Sequence, residues 1–236
     1  MSFLFKVYYA IHDNLFGLLK HLDGLALLAL RLFLAPVMIA AGLNKWHSFD
    51  STVEWFGNAT WGLGLPYPEL LAALATGTEV FGGFLLLFGL AVRWAAVPLM
   101  ATMLVAAIEV HWDNGWFAIA PSDPSTSTAK LLADVGIPTA EDSLENSREV
   151  SLRLERAKDI LRENGNYEWL TGKGNFVVLN NGIEFAATYF LMLLVLFFWG
   201  GGRYVSLDYY FDRAARQVLR DQGPPQRDLD DLNVPD

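Results

Sequence analysis

Residues 69–93 read ELLAALATGTEVFGGFLLLFGLAVR, and between the charged ends Glu69 and Arg93 a single formal charge remains, Glu79. A helix rises 1.5 Å per residue, so about 20 apolar residues cross the ~30 Å hydrocarbon core of a bilayer. This stretch has that length. An ionised side chain inside a spanning helix costs at least ~2.5–3.5 kcal/mol on insertion scales, so Glu79 requires a partner or a task.

Three other stretches repeat the pattern. Arg31 is the one formal charge between Asp23 and Lys45, Glu109 between Arg93 and Asp113, and Glu184 between Asn181 and Arg203. Hydrophobic residues make up 53% of the 236-residue chain and charged residues 18%, with a mean hydropathy of +0.28. That is too apolar for an ordinary soluble domain. The first stretch begins too late, and lacks the small-residue cleavage site, to be a removable signal peptide. The chain has no cysteine, which excludes thiol exchange, thiolate metal sites, iron–sulfur ligation and prenylation by its own residues. A net charge of −9, with no basic stripe, excludes a nucleic-acid partner.

The expected fold is an all-α integral membrane protein with four transmembrane helices and a helical insertion outside the cytoplasm between the third and fourth. Residues 1–22 read as an amphipathic interfacial helix, with Phe3, Val7, Ile11, Leu15, Leu18 and Leu22 at helical spacing. Residues 23–112 hold the first three spans, at about 24–44, 69–90 and 93–112. Pro36 interrupts the first, and a loop of about two dozen residues rich in Trp46, Trp55, Phe56, Trp61 and Tyr67 follows it. Small pairs Ala73/Gly77 and Thr78/Gly82 suit close helix packing. Asn58-Ala-Thr is a glycosylation sequon only where the source glycosylates.

Residues 113–179 form the soluble insertion. A capping box at Thr139 and Asp142 is expected to open its one strong helix, which ends near Asn164-Gly165 with Leu144, Val150, Leu154, Ala157 and Leu161 on one face. Residues 180–203 carry the fourth span. Residues 204–236 form an amphipathic stretch and an acidic tail beyond Pro224-Pro225, expected to be disordered. Basic residues at Lys6, Lys20, Arg93, Arg203, Arg213, Arg216, Arg220 and Arg227 favour cytoplasmic N- and C-termini.

That orientation sets depths. Arg31 lies ~20 Å below the outer end of its helix and Glu79 ~15–16 Å below the start of the next, at 1.5 Å per residue. The expectation is a buried Arg31–Glu79 ion pair near the midplane, either a structural clasp or a functional pair. Glu109, His111 and Glu184 lie near the outer surface, level with Asn44, Lys45, His47, Asp113, Asn114, Asn180 and Asn181. Two readings stand side by side: ordinary headgroup-level polarity, or a small-molecule, quinone or metal site opening outward. His47 and His111 with Glu109 or Glu184 would make a His/carboxylate set suited to zinc, iron or copper(II). Met38, Met100, Met103 and Met192 offer thioethers to copper(I), although methionine in a bundle more commonly fills gaps.

The segments RLFLAPVMIAAGLNKW, with Arg31, ATGTEVFGGFLLLFGLAVRWAA, with Glu79, MLVAAIEVHWDNGW, with His111, and NNGIEFAATYFLMLLVLFFWGGGRYVSLDYY together resemble the DoxX family of four-helix membrane proteins. The likeness runs over roughly 24–210 and is nearest to the HvfX branch. It implies quinone-linked thiosulfate oxidation or membrane oxidoreductase complexes, and for that branch the maturation or export of copper-binding modified peptides. It supplies no catalytic motif to transfer.

Three functions follow as expectations. One is a bacterial inner-membrane accessory or subunit of an oxidoreductase system in copper or redox homeostasis. Its ligand would be a quinone or copper, held by Arg31, Glu79, Glu109, His111, Glu184, Lys45 and Asn181. A second is a non-enzymatic scaffold or export helper for an oxidoreductase or peptide-maturation partner. A third, an ion or copper permease, requires a homo-oligomer, since four helices leave little room for a pore.

Overall fold

The structure is a computed structural model and describes residues 2–125, 127–136 and 138–221. Every regular element among them is helical, and one isolated antiparallel bridge joins Ile119 to Leu179. Helix α1, Ser2–Leu19, passes through a single 3₁₀ turn into α2, Asp23–His47. Helices α3, Phe49–Gly57, and α4, Pro68–Phe88, follow. Helix α5, Val92–Val105, continues through a wide π turn, Ala106–Val110. Then come α6, Thr128–Asp134, α7, Pro138–Asn164, and α8, Tyr167–Thr171. Helices α9, Glu184–Trp199, and α10, Leu207–Asp221, complete the series.

Among the described residues three helical segments are long and apolar enough to cross a membrane: Asp23–His47, Pro68–Phe88 and Val92–Val110. Helix α9 is apolar but has only 16 residues, ~24 Å at 1.5 Å each. The first span runs past the expected end at Asn44, which carries Lys45 into the helix. The loop expected after it contains α3, and the aromatic chain then folds back: Leu63 and Leu65 amides donate to the Trp55 and Phe56 carbonyls. Asn58 Oδ1 accepts from the Thr60 and Trp61 amides, so the sequon residue serves as a turn former.

The spans are inverted relative to helices in water. On α4 the buried residues are Ala72, Thr76, Glu79, Gly82, Gly83 and Leu86, whereas Leu70, Leu74, Phe81, Phe84 and Phe88 are exposed. Lipid tails are as apolar as leucine, so large side chains gain nothing by turning inward, and small ones let backbones approach. Two glycines carry that approach between α2 and α4. A Cβ on Gly42 would stand 2.8 Å from the Val80 amide nitrogen, and one on Gly83 would stand 3.1 Å from the Ile39 nitrogen. The expected contact at Gly77 is not formed, since its nearest neighbour is Phe81 of the same helix at 3.9 Å. Gly42→Ala is expected to destabilise the protein by ~1–3 kcal/mol through overpacking, read as a lowered unfolding midpoint in detergent. Gly77→Ala should change that midpoint little.

The described residues divide into two compact units. One comprises the described parts of Met1–Phe49, Ala72–Pro98 and Leu194–Asp236; the other comprises Asp50–Leu71 and Leu99–Leu193. In the second unit Ser127 caps α6 by accepting from the Ala129 amide. Helix α7 packs along α6 through Ala140, Ser147, Val150 and Leu154, which are buried. Ala157, expected on that face, is exposed, and Leu144 and Leu161 are half-buried. The wet side of α7 is laced by Arg153–Glu149 and Arg162–Asp159 ion pairs. The expected capping box rests on the Thr139 side chain, the α1 stripe partly on that of Leu18, and the expected acidic tail on residues 222–236; all lie outside the described residues.

Candidate functional site

Arg31 is buried and does not meet Glu79. Its guanidinium donates from Nε to the Leu86 carbonyl at 2.7 Å and from Nη2 to that of Leu87 at 3.1 Å, while Nη1 reaches the carbonyls of Gly201 and Val205. Leu86 and Leu87 end α4, where the last carbonyls lack helical partners and the dipole favours a cation. Gly89, at φ +68, closes the helix: its amide bonds to Leu86 and that of Leu90 to Leu85, the Schellman pattern. Asp208 then caps the start of α5, accepting from the Ala91 and Val92 amides at 2.6 and 2.9 Å. Arg31 and Asp208 are thus backbone clamps at one end of the first unit.

The expected Arg31–Glu79 pair fails on register. Gly83 packs on Ala35 and Ile39, and Gly42 on Glu79 and Val80, which sets Arg31 beside Leu86–Leu87 and the end of α2 beside Glu79. Seven or eight residues of α4 separate the two levels, ~10–12 Å at 1.5 Å each. Depths counted from assumed helix ends understated that gap because α2 runs on to His47.

Glu79 finds Lys45 instead. The Lys45 ammonium donates to Glu79 Oε2 at 2.6 Å, with the Glu79 side chain 6% exposed and that of Lys45 27% exposed. Lysine's four-carbon stem spans the distance from the edge of the helix pair to the buried carboxylate. The pair uses Oε2 alone, which leaves Oε1 free to accept another donor.

One turn before Glu79 on the same face stands Thr76, whose Oγ1 is fully buried and, among the described residues, has no hydrogen-bond partner. Helical hydroxyls usually bond back to the carbonyl four residues earlier; Ser48, Ser147, Thr171 and Thr188 here do so. Thr76 does not. A buried polar group without a partner costs ~1–3 kcal/mol, so its hydroxyl is a donor and acceptor held ready for water or a ligand. Sequence reasoning missed Thr76, although its i−3 spacing from Glu79 was a usable signal.

Glu109, His111 and Glu184, expected near the outer surface, belong to the second unit, where His111 and Glu184 hold backbone. Segment 115–120 is zipped to 178–184 by amide–carbonyl bonds such as Ala120 to Val178 and Glu184 to Trp116. Glu184 Oε2 accepts from the Ala118 amide at 3.0 Å. The His111 ring faces the Asn181 carbonyl through Nδ1 at 2.8 Å, and Asn114 donates to the same carbonyl. Glu109 is exposed within the π turn. In the first unit, His47 Nδ1 lies 2.7 Å from the Leu43 carbonyl of its own helix. Among the described residues there is no group of three or more His, Cys, Asp or Glu that could hold a metal ion; of the expected set, His47 lies in the first unit and Glu109, His111 and Glu184 in the second. Each imidazole is committed to a backbone carbonyl.

Lys45, Glu79 and Thr76, together with Arg31, Glu109 and His111, fall within residues 26–112, which match the DoxX family model. This stretch is similar to the DoxX family. Over 98 residues, 40% of this chain and 62% of the relative, the chain is 33% identical to an uncharacterized protein of Haemophilus influenzae. Over 83 residues, 35% of this chain and 58% of the relative, it is 32% identical to the Bacillus subtilis protein named "Putative oxidoreductase CatD". The chain therefore spans about 60% of the length of these curated relatives. No solved structure matches it. The likeness to DoxX and the three apolar helices of spanning length among the described residues point to a multi-pass membrane protein.

Proposed function

We propose that this DoxX-like protein is a subunit or accessory of a membrane oxidoreductase system, and that Lys45, Glu79 and Thr76 form its ligand site. The observation that carries the reading is the unpartnered Thr76 hydroxyl one turn from a buried ion pair. Similarity to the CatD protein supports the reaction class. In this reading α9 joins the three longer helices as a short fourth span, and the chain sits in a bacterial inner membrane with both termini cytoplasmic.

A quinone suits the donor set. Its carbonyl oxygens accept hydrogen bonds, and the site offers two donors, Lys45 Nζ and Thr76 Oγ1. Bound there, a quinone would supply a two-electron, two-proton carrier. The protein's own part is to orient a carbonyl oxygen, to hold an exchangeable proton at Lys45 Nζ and to take one up at Glu79 Oε1. Maturation of a copper-binding peptide is the narrower form of the same reading.

Purification of the protein from membranes tests both forms: co-purifying quinone supports the first, and stoichiometric copper or a bound peptide the second. Thr76→Val separates binding from folding. Removing an unsatisfied hydroxyl is expected to leave the unfolding midpoint unchanged or slightly raised. Quinone retention should fall about tenfold, the ~1.4 kcal/mol of one hydrogen bond. Unchanged retention would remove Thr76 from the site, and a protein that never carries quinone would overturn the ligand assignment.

A second reading rests on the insertion, which exposes Leu131, Val135, Leu152, Ile160 and Trp169. Apolar residues on a soluble segment mark a partner surface. The protein would then be a scaffold or export helper, and the same purification would yield a polypeptide partner without quinone.

A further inference from the structure

A groove of about 1060 Å³ opens at the clamped end of the first unit, away from Lys45 and Glu79. Three apolar helices contribute their ends to it: Asp23 and Leu27 from α2, Arg93 and Trp94 from α5, and Val195 and Trp199 from α9. The Gly200–Gly202 turn and the polar face of α10 complete the walls.

The charges in the groove are unequal in their commitments. Arg203 pairs with Asp23 at 3.2 Å, and Arg216 with Asp212 at 2.7 Å. The Arg216 hydrogen bond holds the Asp212 carboxyl below its usual range. Asp208 is taken by the Ala91 and Val92 amides. Arg93 gives Nη2 to the Phe198 carbonyl at 2.9 Å and, among the described residues, has no carboxylate partner. Among the described residues lining the groove, Arg93 is thus the cation without a carboxylate partner, and the acids there are engaged by other groups.

Its level in the membrane follows from α10. Leu207, Tyr210 and Val218 lie on one exposed side of that helix, Asp208, Asp212 and Arg216 lie on the other, which faces the groove, and Phe211 stands at the border and reaches the groove. Such a helix lies in the interface with its apolar side in the acyl region. Trp94 and Trp199, exposed by 82% and 66%, sit where an aromatic belt meets headgroups. Leu27, Val195 and Phe211 give the groove an apolar wall, and its volume exceeds what a phosphate ion needs.

We propose that this groove binds an anionic phospholipid, its headgroup phosphate on Arg93 and an acyl chain along the apolar wall. The recognised chemistry is a phosphate diester of net negative charge. Binding is independent of the Lys45–Glu79 reading.

Native mass spectrometry of the full chain in detergent, loaded with phosphatidylglycerol or phosphatidylcholine, tests it. Phosphatidylglycerol should be retained about fivefold more than phosphatidylcholine, the effect of one interfacial cation. Arg93→Gln should erase that preference and Arg93→Lys should keep most of it. Equal retention of the two lipids by the parent overturns the proposal, as does a preference that survives Arg93→Gln. Displacement of phosphatidylglycerol by millimolar inorganic phosphate would replace the lipid by a free-phosphate site. If Arg93→Gln does not fold, the parent's lipid preference and the Arg93→Lys variant decide.

Discussion

Arg31→Met is expected to lower unfolding stability by ~3–5 kcal/mol, the range for removing one partner from a buried charged network. The guanidinium joins the carbonyls of Leu86 and Leu87 to those of Gly201 and Val205. Methionine fills a similar volume but donates nothing, so the end of α4 and the segment after α9 lose their common tie. Leu86 keeps the Gly89 amide; the carbonyls of Leu87, Gly201 and Val205 lose their donor. Arg31→Lys should recover only part of the loss, because an ammonium is a point donor that cannot reproduce the planar fork. Reversible unfolding in mixed micelles measures both variants. An Arg31→Met protein within 1 kcal/mol of the parent would show that these bonds are exchanged for water at little cost.

The second large effect is expected at the ion pair. Lys45→Met leaves the Glu79 carboxylate buried without its cation, again a loss of ~3–5 kcal/mol. Joining it with Glu79→Met removes both charges, and a buried pair replaced by apolar residues of similar size is commonly neutral or stabilising. The double variant should therefore fold as well as the parent. Its behaviour towards quinone separates the roles of the pair. A stable double variant that has lost quinone assigns the pair to the ligand. One that keeps quinone makes the pair a helix clasp only, and returns the site to Thr76 and whatever lies beside it.

Several features of this arrangement were legible from residue order. Long apolar runs with one charge apiece mark segments that must satisfy their backbone internally, so helices of spanning length follow from composition and the dimensions of a bilayer. The end of α7 at Asn164 is legible for a local reason, a polar Asn-Gly stop after a periodic apolar stripe. Helix α3 was not, because nine residues full of interfacial aromatics look the same in a loop and in a short helix. Helix α9 ends at the glycine run 200–202, as expected, but starts only at Glu184, because the amides of residues 180–183 are taken by carbonyls of residues 115–118.

The burial of Arg31 and Glu79 was legible in the sequence, because each lies inside an apolar run, but Glu109, in a run of the same kind, is exposed and Glu184 is half-buried. The partners of Arg31 and Glu79 were decided by tertiary structure alone. The close approach of α2 and α4 at Gly42 and Gly83 sets a register that gives Glu79 to Lys45 and sends Arg31 to backbone carbonyls 55 and 170 residues away. Asp208 reaches the start of α5 across 116 residues for the same reason. Hydrogen bonds act over about 3 Å, and no local pattern encodes which distant atoms the packing brings within that range.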